Sequence, residues 1–364
     1  MVLLYVLAIV ALVNLAYYLL FTRFTMLPPD VMRPTPSHPV SLIVCAKNEA
    51  HNLQENIPLW LQQQYPDFEL ILINDASIDE TPDIMEAFTE KDPRVKVVQV
   101  KNNEAFWANK KYALTLGIKR AVNTTLIFTD ADCRPASPQW LGQMVTRLQN
   151  EKQLVLGYGA YQKIPGFLNK LIRFETAMTA IQYLAYAKVG TPYMGVGRNL
   201  AYTSHLFYEK KGFMSHIKIP SGDDDLFVNE AATSLNTEIC YLEEAFTYSV
   251  PKKSWSEWFR QKKRHFTTAS RYKPQHRIAL TIYAIANVLF WPLAVLALWF
   301  SDWRIALAII ILRLAIQFGT LAKGFKKLRE EDLLPWLPLL ELFLVYLQLS
   351  IFISGSNSKN SRWK

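Results

Sequence analysis

Asp130-Ala131-Asp132 closes an apolar run, Thr125–Thr129, and places two carboxylates at i and i+2. In extended backbone alternate side chains share a face, so both aim at one spot. Hard divalent cations take such oxygens and keep phosphate groups as further ligands. Taken alone, the triplet reads as a turn, where Asp is common. Asp75, in INDASIDET, ends another apolar run and is the acid expected to face a ligand, accepting from a base or ribose. Asp79 or Ser77 is expected to cap the helix that follows. Asp223-Asp224-Asp225 precedes an apolar stretch. Acids at a helix start satisfy the dipole, yet three exceed what capping needs. The alternative to capping is that one of them is a general base, held near like charges with a raised pKa.

A fourth stretch, Ser254–Lys273, interleaves Trp255, Trp258, Phe259, Phe266 and Tyr272 with cations. An amphipathic helix in the headgroup region has this composition, and Lys263 and Arg264 are suited to neutralising a leaving diphosphate. His51, His205, His216 and Cys133 lack metal-ligand spacing and read as structural; His265 differs by lying inside the basic motif.

These residues need a scaffold. The apolar runs Ser41–Ala46, Glu69–Asn74, Val95–Val100 and Thr125–Thr129 read as strands. Helices are expected over about 50–63, 79–89 and 107–122. Alternation of this kind predicts an α/β domain with a mostly parallel sheet covered on both faces. Ligands then collect at the carboxyl ends of the strands, which singles out Lys47, Asn48 and Glu49, then Asp75, then Asp130 and Asp132. No G-x-G-x-x-G follows the first strand and no G-x-x-x-x-G-K-[ST] occurs, so a dinucleotide fold and a P-loop are unsupported.

The 364 residues are 51% hydrophobic and only 20% charged, which points to a soluble domain joined to apolar blocks. An aromatic content of 13% excludes disorder. Three cysteines, Cys45, Cys133 and Cys240, exclude a disulfide scaffold and fit a reducing compartment. Of the +9 net charge, residues 252–273 alone carry +7. A cationic stretch beside an apolar segment favours a membrane surface or a polyanion over nucleic acid.

Residues 1–23 read as an uncleaved transmembrane anchor, since the run Met1–Thr22 is uncharged and lacks signal-peptide features. Residues 24–39 read as a Pro-rich linker, 40–250 as the α/β domain, 251–275 as the interfacial helix, 276–354 as membrane helices and 355–364 as a tail. About three C-terminal spans are expected: Ile278–Phe300 with a kink at Pro292, Ile305–Ala322 with Arg313, and Leu333–Ile353 with Glu341. Arg313 and Glu341 are candidates to pair across two helices; alternatively Ile305–Ala322 is re-entrant. Arg23, Arg33, Lys323, Lys326, Lys327 and Arg329 place the catalytic side in the cytoplasm of a multi-pass inner-membrane protein; the basic tail (Lys359, Arg362, Lys364) runs mildly against this.

Taken in order, these motifs resemble the membrane-bound members of glycosyltransferase family 2, over about Pro39–Lys273. VSLIVCAKNEAHNL is similar to the family's first strand and nucleotide-contacting segment, which implies donor contacts for Ala46, Lys47, Asn48 and Glu49. ELILINDASIDET is similar to the second, where Asp75 would hold the base. NKKYALTLGIKRA resembles the helix by the donor pyrophosphate, implicating Lys110. DAD matches the DxD motif, with Ala131 between Asp130 and Asp132, which would hold Mg2+ or Mn2+. GVGRNLAY resembles the segment near the acceptor, with Arg198 and Asn199. SGDDDLF stands where the family has an acidic pair including the base; Asp224 is preferred over Asp223, with Asp225 beside them in the substrate set. QKKRH stands for Q-x-x-R-W, so Gln261 and Arg264 match, whereas His265 replaces the Trp, a departure that bears on processive polymerisation.

The resemblance implies a GT-A fold and inverting transfer of a hexosyl or N-acetylhexosaminyl group. The donor would be a UDP- or GDP-type nucleotide-diphosphate sugar, and the acceptor a lipid-linked, lipid or polysaccharide molecule at the membrane, with no nucleic acid involved. A sugar-nucleotide synthase would carry a Gly-rich loop where CAKNEAHN has none. A catalytically silent scaffold that binds a nucleotide sugar is the alternative.

Overall fold

The computed structural model describes residues 1–101, 110–219 and 221–355; the side chains of 264–267, 348 and 351–355 fall outside that description. The chain enters through helix α1 (Val2–Thr25), then lays down β1 (Val40–Ala46), α2 (Ala50–Leu61), β2 (Phe68–Asp75), α3 (Thr81–Lys91), β3 (Val95–Val100), α4 (Lys110–Arg120) and β4 (Thr125–Asp130). All of β1 and β2 is buried, as continuous apolar runs covered on both faces must be. β3, β2, β1 and β4 are parallel, with Ala46 opposite Asn74 and Cys45 opposite Asp130. That register brings the ends of β1, β2 and β4 to one rim. Gly117 in α4 lets the helix lie directly on the sheet, since a Cβ there would meet Ile73 Cδ1 at 2.2 Å.

Beyond β4 the pattern changes. β5 (Cys133–Pro135), α5 (Trp140–Val145), β6 (Leu154–Leu156), β7 (Gly159–Tyr161), α6 (Phe167–Lys188) and β8 (Leu200–Thr203) follow, then α7 (Ser204–Glu209), α8 (Asp225–Ala231), β9 (Thr237–Ile239) and β10 (Thr247–Ser249). The main sheet is ordered β3-β2-β1-β4-β8-β6-β9, and β8 runs antiparallel to both β4 and β6. A second sheet, β5-β10-β7, stands beside it. The short strands from β5 on have too few residues to show a period in sequence.

Helices α9 (Trp255–Ala269), α10 (Pro274–Phe300), α11 (Trp303–Lys327) and α12 (Leu337–Gly355) complete the chain. Among the described residues, α1, α10 and α11 are long and apolar enough to cross a membrane. This gives two such C-terminal helices where the sequence suggested about three. The run beginning at Leu333 opens as a 3-10 turn, Glu331–Trp336, containing Pro335, and α12 takes the next 19 residues, of which the side chains of 348 and 351–355 lie outside the description. α10 continues through Pro292 as one helix.

The membrane-type helices share a core with the α/β domain. Tyr18, Phe21 and Phe24 of α1 are fully buried in the cluster that holds Ile43, Ile73, Leu156 and Phe227. Helix α6 lies between the two regions and packs on both α1 and α12. In lipid, apolar contact between helices gains little, and polar groups hold the bundle. Here Arg313 donates to Glu341 Oε1 at 2.5 Å and Oε2 at 2.9 Å, to Gln317 Oε1 at 2.6 Å and across to Tyr18 Oη at 2.9 Å. The expected pair therefore exists and also includes the first helix. At the domain end, Arg173 of α6 pairs with Glu330 and Asp332 in the turn before α12.

Residues 27–39, expected as a linker, are fastened along the domain. Arg147 donates to Asp30 Oδ1 at 2.8 Å, and Gln143 exchanges hydrogen bonds with the Arg33 backbone at 3.0 and 2.8 Å. Helix α9, expected as an amphipathic helix in the headgroup region, buries Trp258 in the shared core, and its Lys262 pairs with Glu175 of α6.

Candidate active site

The carboxyl ends of β1 and β2 make the first wall. Ala46 is buried at the end of β1. Asn48, at φ 55°, accepts from Ile78 N at 2.9 Å and receives the Ser77 hydroxyl oxygen as acceptor of its own N–H at 3.0 Å. Glu49 N donates to Thr81 Oγ1 at 2.9 Å. Asp79 accepts from Ala50 N and Thr81 N, at 3.3 and 3.1 Å, a structural role, although the N-cap of α3 is Glu80 rather than Asp79 or Ser77. Asp75 is buried to 3% exposure, with the Lys47 ammonium 3.9 Å from its Oδ2. These bonds lock the two loops together and hold one cation and one carboxylate side by side.

Asp130 ends β4, and Asp132 stands two residues on. Their carboxylates and the Cys133 thiol lie within 4.8 Å of one another. Burial, then the negative charges of Asp130 and Glu49, push Asp132 up to about 6, opposed by Arg198. Crowded carboxylates that resist ionising are what a divalent cation relieves, and two oxygens of this kind suit Mg2+ or Mn2+. Burial raises the Cys133 thiol well above its ordinary value, which leaves it a thiol that shares a hydrogen bond with Ser249 Oγ at 3.0 Å rather than a thiolate ligand. Ala131 is buried, and its carbonyl accepts from Asn56 Nδ2 at 2.8 Å.

The second wall comes from the other half of the chain. Lys110, at the start of α4, donates to Asp130 Oδ1 at 2.7 Å and reaches Asp223 Oδ2 at 3.0 Å. One ammonium thus ties the DAD triplet to the triple acid. Burial would lower the Lys110 pKa, but the two carboxylates hold it well above its ordinary value. Burial would also raise Asp223, but Lys110 keeps it below the usual carboxylate range. Asp224 is different. Its Oδ2 accepts from Gly197 N and its Oδ1 from Asp225 N, both at 2.7 Å. Burial first, then Asp223 and Asp225, push it up to about 7. The three adjacent acids therefore differ: one is ion-paired, one is poised near neutrality, and one faces elsewhere.

That third acid, Asp225, belongs to the substrate set by its resemblance. In the structure its Oδ2 accepts from Thr268 Oγ1 at 2.5 Å and Tyr272 Oη at 2.7 Å, which turns it toward the end of α9. Asn199 also needs correction as a substrate contact. It is fully buried, accepts from Trp140 Nε1 at 3.0 Å and donates to the Tyr158 and Ala245 carbonyls at 3.0 and 2.7 Å. That uses its donors within the framework. Arg198 does face the acids; its guanidinium lies 4.3 Å from the Tyr161 ring and donates to Ala160 O at 3.2 Å. Gln261 Nε2 donates to Tyr161 Oη at 3.5 Å, so α9 reaches the site through that ring. The side chains of Arg264 and His265, like residues 107–109 of the expected helix and the basic tail, lie outside the described residues.

Lys111 escaped the sequence reading. Its buried ammonium donates to three carbonyls, of His216, Ile219 and Ser221, at 2.8, 2.9 and 2.7 Å. It holds the loop that leads into Asp223, and burial brings its pKa down to about 8. The signal available was the Lys110-Lys111 doublet, since neighbours on a helix point to different faces.

Residues 41–208 match the family model described as glycosyl transferase family 2. The Bacillus subtilis protein named "Probable glycosyltransferase YdaM" is 25% identical over 68% of this chain and 59% of its own length. An uncharacterized glycosyltransferase of Haemophilus influenzae is 32% identical over 34% of this chain and 37% of its own. The chain thus matches well under two thirds of either relative. A poly-β-1,6-N-acetyl-D-glucosamine synthase of Staphylococcus epidermidis is 33% identical over 26% of this chain and 21% of its own length. Among solved structures, the mannosyltransferase PcManGT from Pyrobaculum calidifontis, in complex with GDP-Man and Mn2+, superposes with a TM-score of 0.59. It is 20% identical over 92% of this chain and 99% of its own, a likeness that shows the GT-A fold. Over residues 41–208 the chain is thus similar to glycosyl transferase family 2.

Proposed function

We propose that this protein is a membrane-embedded, inverting glycosyltransferase that moves a sugar from a UDP- or GDP-type donor to a lipid-linked, lipid or polysaccharide acceptor. The observation that carries this reading is Lys110, bonded at once to Asp130 and Asp223, which joins a cation-suited acid pair to a candidate base. The relatives named as glycosyltransferases and the neighbour solved with GDP-Man and Mn2+ support the donor class. Asp130 and Asp132 would hold Mg2+ or Mn2+, and such an ion, when bound, neutralises charge on the departing diphosphate.

The chain's own residues do the rest. Lys47 and Asp75 offer a donor and an acceptor to a nucleobase. Lys110 keeps a fixed positive charge between the acid clusters. Asp224 takes the proton of the acceptor hydroxyl, whose oxygen bonds to the anomeric carbon as the bond to the diphosphate oxygen breaks. A pKa of about 7 suits a base working near neutrality. Asp223 is too strongly ion-paired to accept the proton readily, and Asp225 is engaged by two hydroxyls. A single displacement inverts the anomeric centre.

The ends of α1 and α11 that meet the domain carry Arg23, Lys323, Lys326 and Lys327. By the bias of basic residues toward the cytoplasm, the site lies on that side of the cell membrane. The test uses membranes holding the full chain, a panel of UDP- and GDP-sugars with Mn2+ or Mg2+, and mass spectrometry of the products. Release of nucleoside diphosphate with a matching mass gain on an acceptor is expected. Release no greater than from membranes lacking the protein overturns the reading and leaves a silent scaffold.

A further inference from the structure

Asp225 is the member of the acid triple whose contacts serve neither Lys110 nor the loop at Gly197. Its Oδ2 takes hydrogen bonds from Thr268, in the last turn of α9, and from Tyr272, in the corner before α10. Its Oδ1 accepts from Leu226 N at 2.7 Å. One turn along α8, Asn229 accepts from Lys273 N at 2.8 Å and lies 3.0 Å from His276 Nδ1. Positions i and i+4 share a helix face, so Asp225 and Asn229 present one face of α8 to the corner where the chain turns into its membrane-type helix. Tyr193 closes the same corner, with its ring centroid 5.9 Å from that of Tyr272.

A neutral side chain would fasten two hydroxyls with less desolvation cost, because burying a carboxylate is expensive. The charge has two returns. Hydrogen bonds to an ionised acceptor are roughly twice as strong as neutral ones. The charge also faces Asp224, which sits among Asp223 and Asp225 of its own segment, Lys110 and Lys111 of α4, Tyr202 of β8 and Tyr272 of the corner.

We propose that Asp225 is a positioning residue that fastens the helix of the catalytic base to the α9–α10 corner, so that the acceptor half of the site takes its working geometry from the helices that enter the membrane. This rests on the reading of Asp224 as the base. Among the described residues, no hydrogen bond of Asp225 involves the donor wall.

The test uses the full chain in phosphatidylethanolamine–phosphatidylglycerol nanodiscs. Thr268→Val combined with Tyr272→Phe removes both hydroxyls. Turnover of the active donor is expected to fall about tenfold, the equivalent of one good hydrogen bond's free energy. Donor KM and the affinity for UDP or GDP with Mn2+ stay within about twofold of wild type. Amide exchange quickens in 222–231 and is unchanged in 40–50 and 125–130. Asp225→Asn keeps an acceptor for both hydroxyls but removes the charge, so the acid limb of its turnover profile moves to lower pH by about half a unit. Wild-type turnover and exchange in the double variant overturn the proposal, as does a parallel loss of nucleotide affinity. An unmoved acid limb in Asp225→Asn overturns the part assigned to the charge. If the wild type is inactive with every donor, the reading of the site as a transferase fails instead, and the exchange of 222–231 still decides whether the corner holds α8.

Discussion

The two walls of the site are built by different means. The donor wall, from Lys47 to Asp132, sits on the ends of neighbouring parallel strands, and its side chains are placed by a register that begins at Val40. The acceptor wall, Asp223–Asp225, sits on a seven-residue helix fixed by groups from several elements: Lys110 and Lys111, Gly197, Thr268, Tyr272 and His276. A sheet transmits little strain from far away, whereas a short helix held by tertiary contacts inherits the position of everything it touches. The donor wall should therefore survive changes in the helical part of the molecule that disable the acceptor wall.

The largest effect that separates them is Asp224→Asn. Loss of a general base costs about 10²–10⁴ in rate, and a fall of about 10³ in turnover is expected, with UDP or GDP affinity in Mn2+ unchanged by calorimetry. Loss of nucleotide affinity in this variant would show the walls to be one unit. The converse is Asp130→Asn or Asp132→Asn, which takes away half of the acid pair. Mn2+-dependent nucleotide binding is expected to fall at least tenfold, while amide exchange of 225–231 stays at the wild-type rate. Nucleotide binding that remains as tight and as Mn2+-dependent as in the wild type would remove these acids from the cation site.

The same contrast explains what the sequence disclosed. Strands β1, β2 and β4 are buried on both faces, so their apolar runs are unambiguous, and the acids that follow them are placed by the strand ends. The Arg313–Glu341 pair was visible too, because an ion in an apolar run needs a partner. Nothing local marks helix α6 as the element between domain and bundle: it is buried nearly all round, and its apolar residues are broken by Arg173, which finds its partners only at Glu330 and Asp332. Asn199 looked like a ligand group beside Arg198, yet it closes the turn before β8, where its N–H donates to Val196 O at 3.0 Å, and the buried Trp140 indole claims its side chain. The division of labour among three identical acids was equally hidden, since it depends on Lys110, Gly197 and Thr268, all distant in sequence.

A smaller effect sharpens the comparison at Lys111. Lys111→Met leaves three buried carbonyls without their donor, and an unsatisfied buried group costs about 1–3 kcal/mol. A lower unfolding temperature is expected, with turnover reduced about tenfold if roughly one such loss, about 1.4 kcal/mol, falls on the loop before Asp223. Nucleotide affinity should hold, because the bonds of Lys111 among the described residues run to the loop before Asp223 and not to the donor wall. Equal losses in turnover and nucleotide affinity would contradict the separation.

The mildest test is pH, and here the walls should pull stability and activity in opposite directions. A carboxyl whose folded pKa is raised binds its proton more tightly in the native state. Asp224, at about 7 against an ordinary value of about 4, therefore contributes stability that is complete below about pH 4 and is lost as pH rises through 7. Asp223, held low by Lys110, contributes the opposite sign: its share is present above about pH 4 and disappears as acid protonates it. Between pH 5 and 7.5 the Asp224 contribution changes and that of Asp223 does not; Asp132, pushed up to about 6, adds the same sign as Asp224, so unfolding temperature should drift down as pH rises through that window. Turnover should climb over the same window, with a limb near pH 7, because only the ionised carboxylate takes a proton. Residual turnover in Asp224→Asn should lack that limb. A limb that persists in the variant would assign the titration to another group and would return Asp224 to the helix-capping role that its bond to Asp225 N already describes.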